Sequence, residues 1–274
     1  MKILEAIIDY PQDSCGEDKI AVSESCCAVI DGATPVKKFA FKGYNSNAEW
    51  MADKFSKYIV KNHTLGMDFI DLCKNFIDDT KNEYYLEKED KDNKLTMPSL
   101  TTAAVTLNGD KVGVRVMCDS TAYILFKKGY IGVYTDRRVD EFSKRTLKAK
   151  AIAKEKGIDA APLLLEQRRK NKERMNADYG YWVVTYIGKF EHEFLSDDFD
   201  MEDISRILIC TDGFDRIFNA IPDPIPLMKI LRGSISLDEA VKYLRMSEDK
   251  FKDDDLWQAK LHDDVAAILI SFDN

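Results

Sequence analysis

A chain of 274 residues with 40 Lys and Arg against 48 Asp and Glu carries a formal charge of −8. Its 45% hydrophobic and 11% aromatic content supports a sizeable core and excludes a disordered chain. The acidic balance excludes general nucleic-acid binding, because a phosphate backbone attracts the opposite sign.

No apolar run approaches the roughly 20 residues that a membrane helix needs, so no membrane partner is expected. Residues 1–10 carry Glu5 and Asp9 and lack the long apolar stretch of a signal peptide. Six scattered cysteines (Cys15, Cys26, Cys27, Cys73, Cys118, Cys210) form no C-x-x-C pair. They read as reduced thiols inside strands, which suits a cytoplasmic protein.

No repeat or low-complexity linker divides the chain, so residues 1–274 read as one domain. Lys2–Asp9 and Ile20–Ile30 read as strands, the second ending in the apolar run Cys26–Ile30. Ser46-Asn47-Ala48-Glu49 is a capping-box pattern, opening a helix with Trp50, Met51, Phe55, Tyr58 and Ile59 at helical spacing. A second helix fits Phe69, Ile70, Cys73, Phe76 and Ile77, followed by an acidic loop over Asp78–Asn93. From Leu100 the period becomes that of strands. Thr101–Leu107, Lys111–Cys118, Ala122–Phe126 and Ile131–Tyr134 are separated by turn signals and read as an antiparallel meander. Tyr181–Ile187, Arg206–Cys210 and Val265–Phe272 are later strands. A helix over Leu237–Leu244 is opened by Ser236 with Glu239. The sum is an α+β layered sandwich, two antiparallel sheets with helices outside.

With 48 acids, one aspartate at a strand end is a turn signal and nothing more. Four acids at equivalent places are different. Asp31 follows Cys27–Ile30 and precedes Gly32. Asp119 follows Val114–Cys118. Asp212 follows Ile207–Thr211 and precedes Gly213. Asp263 and Asp264 precede Val265–Ile270. Carboxylates gathered at strand ends repel one another unless positive charge lies between them, and Mg²⁺ or Mn²⁺ with oxygen ligands supplies it. Glycine after Asp31 and Asp212 lets the backbone approach closely.

The order of these pieces resembles the metal-dependent protein phosphatases (the PPM family, the type 2C serine/threonine phosphatases). The pieces are Glu17-Asp18, Val29-Ile30-Asp31-Gly32, Cys118-Asp119-Ser120, Leu208-Ile209-Cys210-Thr211-Asp212-Gly213 and Asp263-Asp264-Val265-Ala266. Asp-Gly-Ala-Thr followed by Asn-Ala-Glu-Trp, and the later Gly180–Val183, resemble a bacterial branch. The resemblance implies a four-layer α/β/β/α sandwich with a two-metal centre of Mn²⁺ or Mg²⁺ at one end. It also implies removal of phosphate from phosphoserine or phosphothreonine of proteins by a metal-bridging water. Carried over, Asp31 bridges both ions and the Gly32 carbonyl binds one of them. Asp212 and Asp263 complete the other. Glu17 and Asp18 hold waters, and Asp119 with Asp212 holds a weaker third ion. The catalytic set is then Asp31, Asp212 and Asp263.

Two departures stand out. Many members carry an arginine four residues before the Glu, where it grips phosphate; here Asp13 stands there. Many have histidine after the first Asp-Gly, and here it is Ala33; losing a proton donor costs about 10²–10⁴-fold. Candidate substitutes for substrate binding are Arg137, Arg138, Arg168 and Arg169, with Lys37, Lys38 and His262 also near the motifs. Residues 144–174 hold eleven basic against four acidic residues, a local charge of +7. In the family this region, about 136–178, is a flap-like insertion beside the site; the residues alone equally read as a solvated helical arm. Two rival functions follow: a phosphatase-like binding or scaffold domain with weak or no activity, supported by Asp13 and Ala33, and a phosphatase of small phosphorylated metabolites.

Overall fold

The computed structural model describes the chain apart from residues 13, 34–35, 37–39, 87–93, 253, 255–259 and 274. Asp13, Lys37 and Lys38 therefore lie outside the described residues. Two antiparallel sheets form the centre. One orders β1 (Lys2–Asp9), β11 (Val265–Ser271), β10 (Ile204–Cys210), β6 (Thr121–Phe126) and β7 (Ile131–Tyr134). The other orders β2 (Lys19–Val22), β3 (Cys26–Gly32), β4 (Ser99–Asn108), β5 (Lys111–Met117) and β9 (Leu195–Asp200), with β8 (Val184–Thr185) also paired to β4.

Three apolar layers hold the sandwich. Val29, Val105, Val114, Ile124, Ile209 and Ile268 fill the space between the sheets. Outside the β2–β9 sheet, Trp50 and Phe55 of α1 (Asn47–Asn62) and Phe76 of α2 (Phe69–Leu86) cover Ala28, Ile30 and Ala104. Outside the other, Phe214 and Ile217 of α5 (Asp212–Asn219), α6 (Leu227–Leu231) and Leu244 of α7 (Leu237–Glu248) cover Leu208, Ala267 and Leu269. Both outer helical layers thus bury one face on a sheet whose inner face is also dry, which gives the four-layer α/β/β/α order expected from the sequence. Phe55→Ala would remove a fully buried ring between α1 and α2, a cost of about 3–5 kcal/mol.

Several boundaries differ from the sequence reading, each for a physical reason. Ile20–Ile30 is not one strand but a hairpin. Ser23 accepts from the Cys26 N–H through its hydroxyl and donates its own N–H to the Cys26 carbonyl, turning the chain between β2 and β3. The expected loop at residue 78 does not begin there. Instead α2 runs on to Leu86, because Tyr84 stacks on Tyr186 at 4.6 Å and Thr80 bonds the Tyr186 hydroxyl at 2.9 Å. Only Val184 and Thr185 of the expected strand 181–187 pair with β4. Its flanks bond instead to the Asn176 amide, which binds Val183 N, Val183 O and Ile187 O. The strand β9 has no apolar signature, since its sequence LSDDFD is an exposed, acidic edge.

The expected meander is also divided. The strands β4 and β5 are neighbours in one sheet, while β6 and β7 are neighbours in the other. The chain crosses between sheets at Cys118–Ser120, where Cys118 takes the left-handed conformation (φ 63°). The crossing carries Asp119 to the end of the sandwich. Residues 140–173 form a two-helix arm, α3 (Asp140–Lys156) and α4 (Ala160–Glu173), turned at Gly157 (φ 60°). Cys26, Cys27, Cys73, Cys118 and Cys210 are buried free thiols. No helix among the described residues is long and apolar enough to cross a membrane.

Candidate metal centre and active site

Backbone geometry brings the separated acids to one end of the sandwich. Asp31 is the penultimate residue of β3 and pairs with Thr101 of β4. The Thr101 hydroxyl lies 2.9 Å from that of Ser120, which fixes the neighbouring Asp119 to the same end. The Glu17 carbonyl accepts from the Gly32 N–H at 3.2 Å, and the Glu17 N–H donates to Asp264 Oδ2 at 2.7 Å. Glu17 and Asp18 are thereby sewn between β3 and the start of β11. A side chain on residue 32 would put its Cβ 2.9 Å from the Ala48 carbonyl oxygen and 3.0 Å from that of Glu17, so the close approach requires glycine.

The other side of the cluster is built by α5. Thr211 caps the turn out of β10, donating its N–H to the Ala266 carbonyl at 3.0 Å while its hydroxyl accepts from the Ala266 N–H at 3.0 Å. Asp212 is then the first helical residue, where the helix's positive end favours a carboxylate. A Cβ on Gly213 would stand 1.9 Å from the Asp264 carbonyl oxygen. Only glycine lets α5 pass so close to the chain that bears Asp263.

The electrostatics show how crowded this end is. Burial raises the carboxyls of Asp18 and Asp31 well above the ordinary range; a hydrogen bond from Thr211 partly offsets this at Asp18, and repulsion from neighbouring aspartates adds to it at both. The charges acting on Asp31 are those of Asp18, Asp212, Asp119 and Asp263, so all five acids share one field. Burial and then Asp212 push Asp119 up to about 8. Burial and then Asp263 push Asp212 up to about 6, with Arg216 and Lys260 pulling the other way. Asp18 Oδ2 and Asp119 Oδ1 are buried with no hydrogen-bond partner. Buried anionic oxygens without donors are costly. A hard divalent cation satisfies them, and an all-oxygen donor set of carboxylates and a carbonyl is the chemistry Mg²⁺ and Mn²⁺ favour. The residues present fit such ions in kind. Among the described residues, however, no three already converge on one point. Asp263 is turned aside, its Oδ2 accepting from Arg216 at 2.7 Å and its Oδ1 from Lys260 at 2.9 Å. Glu17 is buried, its Oε1 accepting from the Ser46 hydroxyl at the cap of α1.

An open pocket of about 760 Å³ adjoins the cluster, lined by Asp119, Asp212, Asp215, Arg137, Arg216 and, from the arm, Lys144. Of the four arginines singled out in the sequence, only Arg137 lines it. Its Nη2 donates to Asp215 Oδ2 at 2.5 Å, and the buried Asp215 also accepts from Tyr123 and Asn219. Arg138 instead pairs with Asp136 and Glu193. Arg168 and Arg169 lie on α4, and Arg169 pairs with Glu166 on its own helix. His262 Nε2 lies 3.1 Å from Asp249 Oδ1, and Ala33 donates its N–H to the Ser99 carbonyl. Sequence reasoning missed Asp215, Arg216 and Lys260. The first two sit three and four residues after Asp212, one turn along α5, and that spacing was the available signal.

Comparison with known proteins agrees with this arrangement. The family model of protein phosphatase 2C matches residues 10–249. The fold is similar to that of the serine/threonine phosphatase PstP/Ppp of Mycobacterium tuberculosis, at 13% identity and TM-score 0.55 over 98% of each chain. It is also similar to serine/threonine phosphatase Stp1 from Staphylococcus aureus, at 12% identity and TM-score 0.53 over 100% of this chain and 96% of that one. A third match is the catalytic domain of PstP in complex with two manganese ions, at 15% identity and TM-score 0.50 over 97% and 95% of the two chains. No curated protein matches the sequence. The chain belongs to the protein phosphatase 2C family. It is accordingly a metal-dependent phosphatase of the serine/threonine class.

Proposed function

We propose that this chain removes phosphate from phosphoserine or phosphothreonine of cytoplasmic bacterial proteins, with Asp31, Asp212 and Asp263 as the acids that carry the reaction. Asp31 would be a ligand shared by two divalent ions. The Gly32 carbonyl and Asp18, with Glu17 behind it, serve one side, and Asp212 and Asp263 the other. Asp119 with Asp212 offers a third, weaker position. Two bound Mg²⁺ or Mn²⁺ ions supply an activated water and neutralise phosphoryl oxygens.

The remaining steps belong to the chain. Arg137, held by Asp215 at the pocket wall, grips the phosphate in place of the arginine absent from position 13. Its planar fork suits two phosphoryl oxygens at once. Ala33 has no proton to give, so the leaving alkoxide takes its proton from water in the open pocket. The arm of residues 136–178 acts as the flap, bringing Lys144 over the pocket, and 1–274 form one phosphatase domain. The single observation that supports the reading most is the pair of buried, partnerless oxygens on Asp18 and Asp119, in a cluster that includes Asp31.

The test is hydrolysis of p-nitrophenyl phosphate with Mn²⁺, Mg²⁺ or EDTA, wild type beside Asp212→Asn. Turnover that EDTA abolishes and the variant lacks is expected; turnover equal in both proteins would overturn the assignment. A phosphopeptide set against phosphorylated metabolites then separates a protein substrate from a small one.

A further inference from the structure

Asp263 differs from the acids around it. Both of its oxygens are already satisfied by cations of the chain, Oδ2 by Arg216 and Oδ1 by Lys260. The Arg216 guanidinium is itself anchored from behind. Its Nη1 reaches Glu248 Oε1 at 3.2 Å and the carbonyls of Lys260 and Leu261 at 3.4 Å. Glu248 is fully buried and also accepts from Arg245 Nη1 at 2.8 Å, while Arg245 Nη2 donates to the Asp263 carbonyl at 2.7 Å and to Asp9. This is a buried ionic lattice with Asp263 at its outer edge. Across the cluster, Asp18, Asp31 and Asp119 make no ion pair among the described residues.

We infer that Arg216 and Lys260 form a clamp that competes with a divalent cation for Asp263, so that the chain takes its two ions unequally. The first settles with Asp18, Asp31 and the Gly32 carbonyl, where no carboxylate is held in an ion pair among the described residues. The second must draw Asp263 away from two positive groups that the lattice behind Arg216 holds in place. Asp263 is then a gated ligand, and the clamp sets the cation concentration at which the second position fills. The inference rests on the proposed function in one respect, that the acid cluster binds divalent ions at all.

The experiment is Mn²⁺ titration of the full chain by calorimetry, with free Mn²⁺ counted by its paramagnetic resonance signal. Wild type, Lys260→Met and Arg216→Met are compared without substrate. In the wild type one ion is expected to bind at least about tenfold more tightly than the second, the effect of one close charge at a partly solvated site. Lys260→Met is expected to tighten the second ion by several-fold and Arg216→Met by more, with the first ion moved less than the second in both, since Lys260 acts on Asp31 only at longer range. The half-exposed Lys260 side chain makes its variant safe for folding, so that protein decides the matter if Arg216→Met fails to fold. Two ions of equal affinity in the wild type, or an unmoved second ion in Lys260→Met, would overturn the clamp while leaving the phosphatase reading intact. No bound Mn²⁺ in any protein would overturn both.

Discussion

The two halves of the acid cluster are made of the same residue type at similar places in the chain, yet they are electrostatic opposites. On the side of β3 and the β5–β6 crossing, Asp18, Asp31 and Asp119 are crowded, dehydrated and in no ion pair among the described residues, with only the more distant charge of Lys260 felt at Asp31. On the side of α5 and β11, aspartates meet cations of the chain: Asp215 meets Arg137, and Asp263 meets Arg216 and Lys260. An aspartate at a strand end is therefore not yet a ligand. Its neighbours decide whether it waits for an ion or already has one.

The largest effect expected from breaking this contrast is on turnover. Asp31→Asn should lower Mn²⁺-dependent hydrolysis on the order of 10³-fold or more, since in the proposed function both ions depend on this carboxylate. The same substitution should raise the melting temperature in EDTA, because it removes a buried carboxyl that burial and four neighbouring aspartates oppose. A stabilised but inactive protein would separate function from fold cleanly; a protein melting lower in EDTA would contradict the repulsion.

Next comes the backbone contact that holds the halves together. Gly213→Ala should cost at least about 3 kcal/mol, because the new methyl meets the Asp264 carbonyl and neither element can retreat without moving Asp212 or Asp263. Chemical denaturation measures it, and an unfolding midpoint like that of the wild type would show that α5 can shift.

The pH dependence sharpens the comparison. Asp119 and Asp212 titrate in the folded state at about 8 and about 6, above the ordinary aspartate value near 3.9. The metal-free fold thus binds more protons than the unfolded chain across this interval. Stability in EDTA should be greatest near the ordinary value and fall as pH rises, through about 6 for Asp212 and about 8 for Asp119. Thermal melts from pH 4 to 9 should show the decline, and saturating Mn²⁺ should flatten it. Asp119→Asn should make the decline shallower across the whole interval, with Asp18 and Asp31, also raised, supplying what remains.

Smaller effects follow from the arginines. Arg137→Ala should reduce kcat/KM roughly tenfold or more with Mn²⁺ affinity unchanged, since a phosphate contact of a charged group is worth about 1.5–3 kcal/mol. A loss confined to metal affinity would place Arg137 among the ion's supports instead. Arg168→Ala and Arg169→Ala, on the arm and away from the pocket lining, should leave both turnover and melting temperature within error.

Much of this was legible in the sequence because it depends on local periodicity. The apolar runs of β1, β3, β10 and β11, the Ser46 and Ser236 caps, and the acids at strand ends all follow from which side chains can be buried in a strand and which must stop it. Their order, from Glu17 to Asp264, carried the family. What the sequence could not show was any property set by partners distant along the chain. Residues 78–86 are helical because Tyr84 finds Tyr186, a contact across a hundred residues. The chain at 181–187 leaves the sheet because Asn176 satisfies its backbone. The meander divides at Cys118 because two sheets, not one, have room for its strands. Arg216 acquires a role only when α5 sets it beside Asp263, 47 residues later. Hydrophobic pattern is a property of neighbours in sequence, so the chain itself determined the layers and the acids. Charge compensation at close range is a property of neighbours in space, so only the tertiary structure decided which of those acids stand bare and which are held.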